Sequence, residues 1–214
     1  MQAALPVSCL LLLVPLAAGA GAWPRGKGQV FLSASAETDT RSSRLGPSGG
    51  AYGEVGLTDR LTLGGQIDRN AGGEIFLRRS YLLPRGHVAA LSFGAGRVDA
   101  RPERSVTFSG LHWSKSLTVG RFSGWATIDT RLALGLDNRI DHGKADALLG
   151  LNLTPRWKAM LAVETYRDRD STVAEIVPSV ARRLTHRSHL QLLLPVPVAG
   201  GGAPRGGLAL WLEF

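Results

Sequence analysis

From about residue 29 to its end the chain alternates apolar and polar residues in runs of roughly 8–12, with turn residues between the runs. No run carries the 3.6-residue period of an amphipathic helix. The clearest run is W-A-T-I-D-T-R-L-A-L-G-L, 125–136. Ala126, Ile128, Thr130, Leu132, Leu134 and Leu136 fall on one side; Trp125, Thr127, Asp129, Arg131 and Ala133 fall on the other. Successive strand residues point to opposite faces, so the run predicts a strand with one apolar and one polar face. Val30, Leu32, Ala34 and Ala36 likewise oppose Phe31, Ser33, Ser35 and Glu37. Ala51, Gly53, Val55 and Leu57 oppose Tyr52, Glu54 and Gly56, and Leu61, Leu63 and Ile67 oppose Thr62, Gln66 and Asp68. Further on, Ala145, Ala147, Leu149, Leu151 and Leu153 oppose Lys144, Asp146 and Asn152. Trp157, Leu161 and Val163 oppose Lys158, Glu164 and Tyr166, while Ile176 and Val180 oppose Glu175 and Ser179.

A soluble sandwich alternates in the same way with its apolar face inward. Three features favour a closed transmembrane antiparallel β-barrel instead. The connections come in two lengths by turns. Those at 39–49, 98–104, 137–143 and 199–206 read as long, those at 58–60, 83–86 and 154–156 as short, and 69–73, 168–171 and 182–187 as medium. The 116–123 connection is intermediate. Long external loops and short periplasmic turns give such a rhythm. The strand count comes to about twelve, and an even count returns both termini to one side. The chain also ends G-L-A-L-W-L-E-F, with Leu208, Leu210, Leu212 and Phe214 on one face.

That ending resembles the carboxy-terminal strand of bacterial outer-membrane proteins. The resemblance implies that Leu208, Leu210, Leu212 and Phe214 form the signal read by the barrel-assembly machinery. A-W-P-R-G-K-G, 22–28, resembles the opening of a group of proteobacterial outer-membrane proteins, some of which resemble the porin-like group linked to aromatic-compound degradation, and L-G-L-N-L-T-P-R-W, 149–157, is similar to a stretch of that porin-like group. What that implies is an outer-membrane location and a channel or uptake role.

Two places strain a regular barrel. Arg78 and Arg79 are adjacent, so one must face lipid; it should lie near a rim, where the cost is about 0–1 kcal/mol against roughly 2–4 at mid-bilayer. Pro195 and Pro197 share a face and remove two ladder donors, so their strand should bulge or end early.

Residues 1–22, MQAALPVSCLLLLVPLAAGAGA, read as a secretory signal peptide, with an apolar centre at Leu10–Val14 and Ala-x-Ala at 18–20 and 20–22. Cleavage is expected after Ala20 or Ala22. Residues 23–28 then form a short N-terminal periplasmic segment and 29–214 the barrel. The single cysteine, Cys9, lies in the leader, so the mature chain has no disulfide or thiolate chemistry. The formal net charge is +8, but Lys and Arg form no basic helix or run, which argues against nucleic acid as a partner.

No catalytic, metal or cofactor motif stands out. His186 and His189 sit in a turn rather than on a helix face. His112 and Ser114 point the same way from one strand, resembling the His-x-Ser of outer-membrane lipid A deacylases, but Lys115 replaces the expected Asn. The polar-face charges Glu54, Asp68, Asp129, Arg131, Lys144, Asp146, Lys158, Glu164 and Glu175 are the lumen-lining candidates, with Asp129 and Arg131 close enough to interact. They could select a solute or pair to fill a narrow interior. The expected function is a porin-like channel or small-solute uptake protein, with outer-membrane lipids and lipopolysaccharide around it. A lipid-modifying enzyme and a structural barrel are the alternatives.

Overall fold

The computed structural model describes residues 21–39, 48–68, 72–98 and 105–214. Most of the leader and the centres of three connections lie outside the described residues. Thirteen strand segments follow one another: β1 Val30–Asp39, β2 Ser48–Gly56, β3 Leu61–Asp68, β4 Gly73–Leu82, β5 His87–Arg97, β6 Ser105–Val119, β7 Phe122–Gly135, β8 Ile140–Asn152, β9 Trp157–Arg167, β10 Thr172–Arg183, β11 Ser188–Leu193, β12 Val196–Ala199 and β13 Arg205–Glu213.

Each pairs antiparallel with its neighbours, and β13 closes on β1 from Phe31 opposite Glu213 to Asp39 opposite Arg205. Phe214 and Val30 exchange both backbone hydrogen bonds at the seam. β11 and β12 both pair with β10, so they form one stave broken in two, and the result is a closed barrel of 12 strands. The break falls at Leu194–Pro195, as the two prolines predict, and β10 answers with a register shift between Ala174 and Glu175. Neither proline could have donated to a neighbouring strand.

The predicted faces sort into inside and outside. Outward lie Leu32, Leu63, Ile75, Leu77, Phe93, Leu111, Ile128, Leu132, Leu149, Leu161, Val163, Leu208 and Leu210, all exposed, which makes the exterior an apolar band. A barrel in lipid requires that arrangement, since its backbone groups are satisfied between strands and its outer side chains meet hydrocarbon. Inward lie the polar faces together with aromatic rings. Trp125 lies flat against the neighbouring stave because residue 150 opposite it is glycine; a β-carbon there would sit 2.3 Å from the Trp125 ring.

Of the adjacent arginines, Arg78 faces in and is 2 % exposed. Arg79 faces out, near the end of β4, with its guanidinium 5.6 Å from the Tyr81 ring. Tyr81 and the rim let that charge reach the interface rather than hydrocarbon.

Pairing shortens two of the connections read from sequence, which sharpens the length contrast on one side of the barrel and softens it on the other. Strands β6 and β7 run on to Val119 and Phe122, reducing the 116–123 connection to a two-residue turn around Gly120, whose φ is +58°. Strands β7 and β8 reduce the 137–143 loop to 136–139. Charged and small residues read as loop are carried into the ladder by pairing, because a backbone hydrogen bond forms whatever its side chain. One end of the barrel still has only tight turns, at 57–60, 83–86, 120–121, 153–156 and 184–187. Both chain ends of the barrel wall lie on this side, which is called the short-turn rim below.

Candidate functional site

The lumen is filled from the short-turn side by two bodies. The first is an apolar cluster of Phe31, Trp125, Met160, Ala181, Ala209 and Trp211. The second is the chain's own N-terminal segment. Residues 21–28, of which the sequence reading assigns 21–22 to the leader and 23–28 to a short periplasmic segment, run along the inner wall of β2 to β7. Ala22 is fully buried, and its N–H donates to Ser114 Oγ at 3.0 Å. The Arg25 N–H donates to Thr62 Oγ1 at 3.4 Å, and the Lys27 N–H to Asp59 Oδ1 at 3.1 Å. The Gly28 N–H reaches the Gly56 carbonyl at 2.8 Å. Residue 56 must be small for this: a β-carbon there would lie 2.0 Å from the Gly26 carbonyl oxygen.

One carboxylate anchors the segment. Glu54 accepts from Arg25 Nε at 2.7 Å and lies 2.7 Å from Arg78 Nη2, and the Tyr52 hydroxyl also donates to it. Its side chain has no solvent exposure. Arg78 Nη2 in turn donates to the Trp23 carbonyl at 3.3 Å. Two buried cations around one buried anion are tolerable only with this set of hydrogen bonds.

Above the apolar cluster lies a cavity of about 340 Å³. Phe31, Tyr52, Met160 and Trp211 line one part of it, and Asp129, Asp146 and Glu164 another. Those carboxylates belong to a row set by register. Asp129 is opposite Asp146, Asp146 opposite Glu164, and Glu164 opposite Glu175, across four consecutive strands. Like charges directly opposite one another are unfavourable, so the row needs cations. Lys144 Nζ is 2.9 Å from Asp146 Oδ2. Arg205 reaches Glu175 at 2.7 Å and Glu37 at 2.9 Å. His112 Nδ1 lies 2.7 Å from Asp129 Oδ1. Among the described residues Glu164 has no cation within ion-pair distance.

Arg131 pairs with Glu74 of β4, its guanidinium 4.6 Å over the Phe108 ring, and not with its strand neighbour Asp129. Lys158 lies 5.5 Å over the Trp125 ring, lower in the barrel. Asp68 stands opposite Gly50 at the end of β3; its side chain lies outside the described residues. Sequence reasoning missed Arg25, Glu74, Glu37 and Arg205, whose partners are distant in the chain. At the far rim Asp137, Asp141, Asp168 and Asp170 border an open hollow. There the N–H groups of Asp170 and Ser171 hold the Asp168 carboxyl below the usual carboxylate range.

The His112–Ser114 pairing suggested by sequence does not form. Ser114 is taken by the N-terminal segment, and His112 Nε2 instead lies 2.7 Å from Ser92 Oγ. Ser92, His112 and Asp129 thus form a hydrogen-bonded chain across β5, β6 and β7. Its order is that of a nucleophilic relay. A nucleophile must meet its substrate, yet Ser92 is only 2 % exposed, while Asp129 borders the cavity. The chain therefore positions the carboxylate. Gly110 leaves the room for it, since a β-carbon there would lie 2.5 Å from Ser92 Oγ.

No protein-family model and no curated protein matches the chain. Solved structures do. A KdgM porin matches with a TM-score of 0.66 at 7 % identity, covering 86 % of this chain and 99 % of that one. A NanC porin matches with a TM-score of 0.58 at 7 % identity, covering 86 % and 98 %. An outer-membrane channel from Pseudomonas putida F1 matches with a TM-score of 0.57 at 11 % identity, covering 90 % and 98 %. At these identities the likeness establishes the fold, which is that of outer-membrane porins.

Proposed function

We propose that this protein is an outer-membrane channel for small solutes whose lumen favours cations at mid-height. The observation that carries the reading is the row Asp129, Asp146, Glu164 and Glu175, three members of which line the internal cavity. Fixed carboxylates in a confined path lower the energy of a passing cation and raise that of an anion. The porin-like fold supplies the wall, and the apolar exterior supports a membrane location with outer-membrane lipids and lipopolysaccharide as its surroundings. An enzymatic reading has less support: neither Ser92 nor Ser114 is presented to a substrate.

In planar bilayers under a salt gradient, the wild type should conduct with a reversal potential on the cation side. Glu164→Lys should move it severalfold in permeability ratio towards anions, with folded yield unchanged. A wild type without conductance would sink the channel reading, and an unchanged reversal potential in Glu164→Lys would sink the role of the row.

Assembly is proposed to depend on the last strand. Phe214 lies outside at the seam, in line with Leu208 and Leu210, and bonds to Val30. Phe214→Asp should leave most of the chain unassembled in the periplasm, measured by fractionation and by the mobility difference between boiled and unboiled samples. Normal outer-membrane levels would count against an assembly signal there.

A further inference from the structure

Every tight turn at the short-turn rim carries an exposed arginine: Arg60, Arg85, Arg121, Arg156 and Arg187. Three of the turns share the order Thr-x-Arg, at 58–60, 154–156 and 185–187. In each the threonine Oγ1 accepts the arginine N–H, at 3.2 Å from Arg60 and Arg156 and 3.1 Å from Arg187. The turn backbone is thereby fixed with the guanidinium projecting from the rim. The only carboxylate in these turns is Asp59, which is occupied by the Lys27 N–H. The opposite rim differs: its described residues mix Asp137, Asp141, Asp168 and Asp170 with Arg139 and Arg169.

Between two of these turns the rim forms a hollow of about 520 Å³, lined by Arg156, Arg182, Arg183, Leu184, Thr185 and His186. The Arg183 N–H donates to the Arg156 carbonyl at 2.8 Å and joins the two turns. On the outer surface Arg182 is paired opposite Trp157, with its guanidinium 5.6 Å from the indole ring. Trp157 is 41 % and Leu184 52 % exposed. The hollow thus joins a cluster of guanidinium groups to an exposed indole and leucine on the lipid-facing side. A phosphate would meet the first and the start of an acyl chain the second. Tryptophan favours that level of a membrane, where its ring is half in hydrocarbon and half in the headgroups.

We propose that the hollow between turns 153–156 and 184–187 binds the headgroup phosphate of an anionic phospholipid in the leaflet next to the short-turn rim. Arg156 and Arg182 are the ligands, and Trp157 and Leu184 contact the glycerol and upper acyl region. The proposal needs the membrane-spanning barrel but not conduction through it.

The test is native mass spectrometry of the full-length protein released from micelles doped with phosphatidylglycerol, cardiolipin or phosphatidylcholine. Phosphatidylglycerol and cardiolipin adducts should persist at collision energies that strip phosphatidylcholine. Arg156→Gln and Arg182→Gln should each lower apparent affinity about fivefold, as expected for one cation near a lipid surface. Arg139→Gln at the opposite rim should change nothing, and heat-modifiable mobility identifies folded variants. Retention of phosphatidylcholine equal to that of the anionic lipids overturns the proposal, as does an Arg156→Gln/Arg182→Gln protein that keeps its adducts. If Arg139→Gln loses them equally, the effect is one of net charge and no site exists. Displacement of the lipid by equimolar inorganic phosphate would assign the hollow to free phosphate and also overturn it.

Discussion

Glu54→Gln should destabilise the folded barrel by about 3–5 kcal/mol, the range for removing one partner from a buried ion pair. Glu54 is the common acceptor for Arg25, Arg78 and Tyr52, and its side chain has no contact with solvent. The amide keeps the shape and one acceptor oxygen but removes the charge. Two guanidinium groups, both nearly inaccessible, then face each other without an anion between them. The loss should appear in urea unfolding from lipid vesicles, followed by tryptophan fluorescence and by gel mobility. Replacing Arg78 as well, in Glu54→Gln/Arg78→Met, should return much of the lost stability, because the fixed wall cation goes with the anion. Arg25→Met should cost less than Glu54→Gln, since Arg25 belongs to a segment outside the strand ladder. A Glu54→Gln protein that unfolds within about 1 kcal/mol of wild type, less than the cost of a single unsatisfied buried group, would show that water reaches the cluster.

Removing residues 21–25 should raise single-channel conductance severalfold. This deletion keeps Ala18–Ala20, the first of the two expected processing sequences. The segment is held by side chains and by the tie at Gly28 and Gly56, and 21–25 contribute no strand to the wall. The barrel should therefore close without them, and space now filled by Ala22, Trp23 and Arg25 becomes part of the path. Conductance scales with the open section, so the narrow end controls it. Added on the short-turn side, a synthetic peptide of residues 21–28 should lower the current again in a dose-dependent way. Unchanged conductance in the deletion, with normal folding by gel mobility, would mean that the segment does not limit the path. If the apolar cluster around Trp125 and Trp211 were the narrower element, Trp211→Ala would raise the current instead.

Several elements were legible because their cause is local. The strand at 125–136 follows from alternation alone, and its polar residues Asp129 and Arg131 face inward as the period of two requires. The broken stave at Leu194–Pro195 follows from two residues that cannot donate a hydrogen bond. That one of Arg78 and Arg79 must face lipid also follows from the period. Which one, and what holds the other, does not.

Strand period, turn chemistry and the two prolines thus determined an all-β barrel, the membership of its two faces and the position of its irregular stave, because each is fixed by backbone geometry within a few residues. The tertiary structure alone decided what occupies the lumen. Asp129 turns to His112, opposite it on the adjacent stave, and Arg131 to Glu74, three staves away, rather than to each other, because these partners offer better geometry than a neighbour along the strand. Asp129, Asp146, Glu164 and Glu175 become one row only through the registers of three successive strand pairs, each of which a one-residue slip would destroy. The segment 21–28 carries no period at all. It enters the barrel because Glu54 and Arg78, brought together from different strands, leave a buried charge cluster that Arg25 completes, and a closure made by residues so far apart leaves no pattern along the chain.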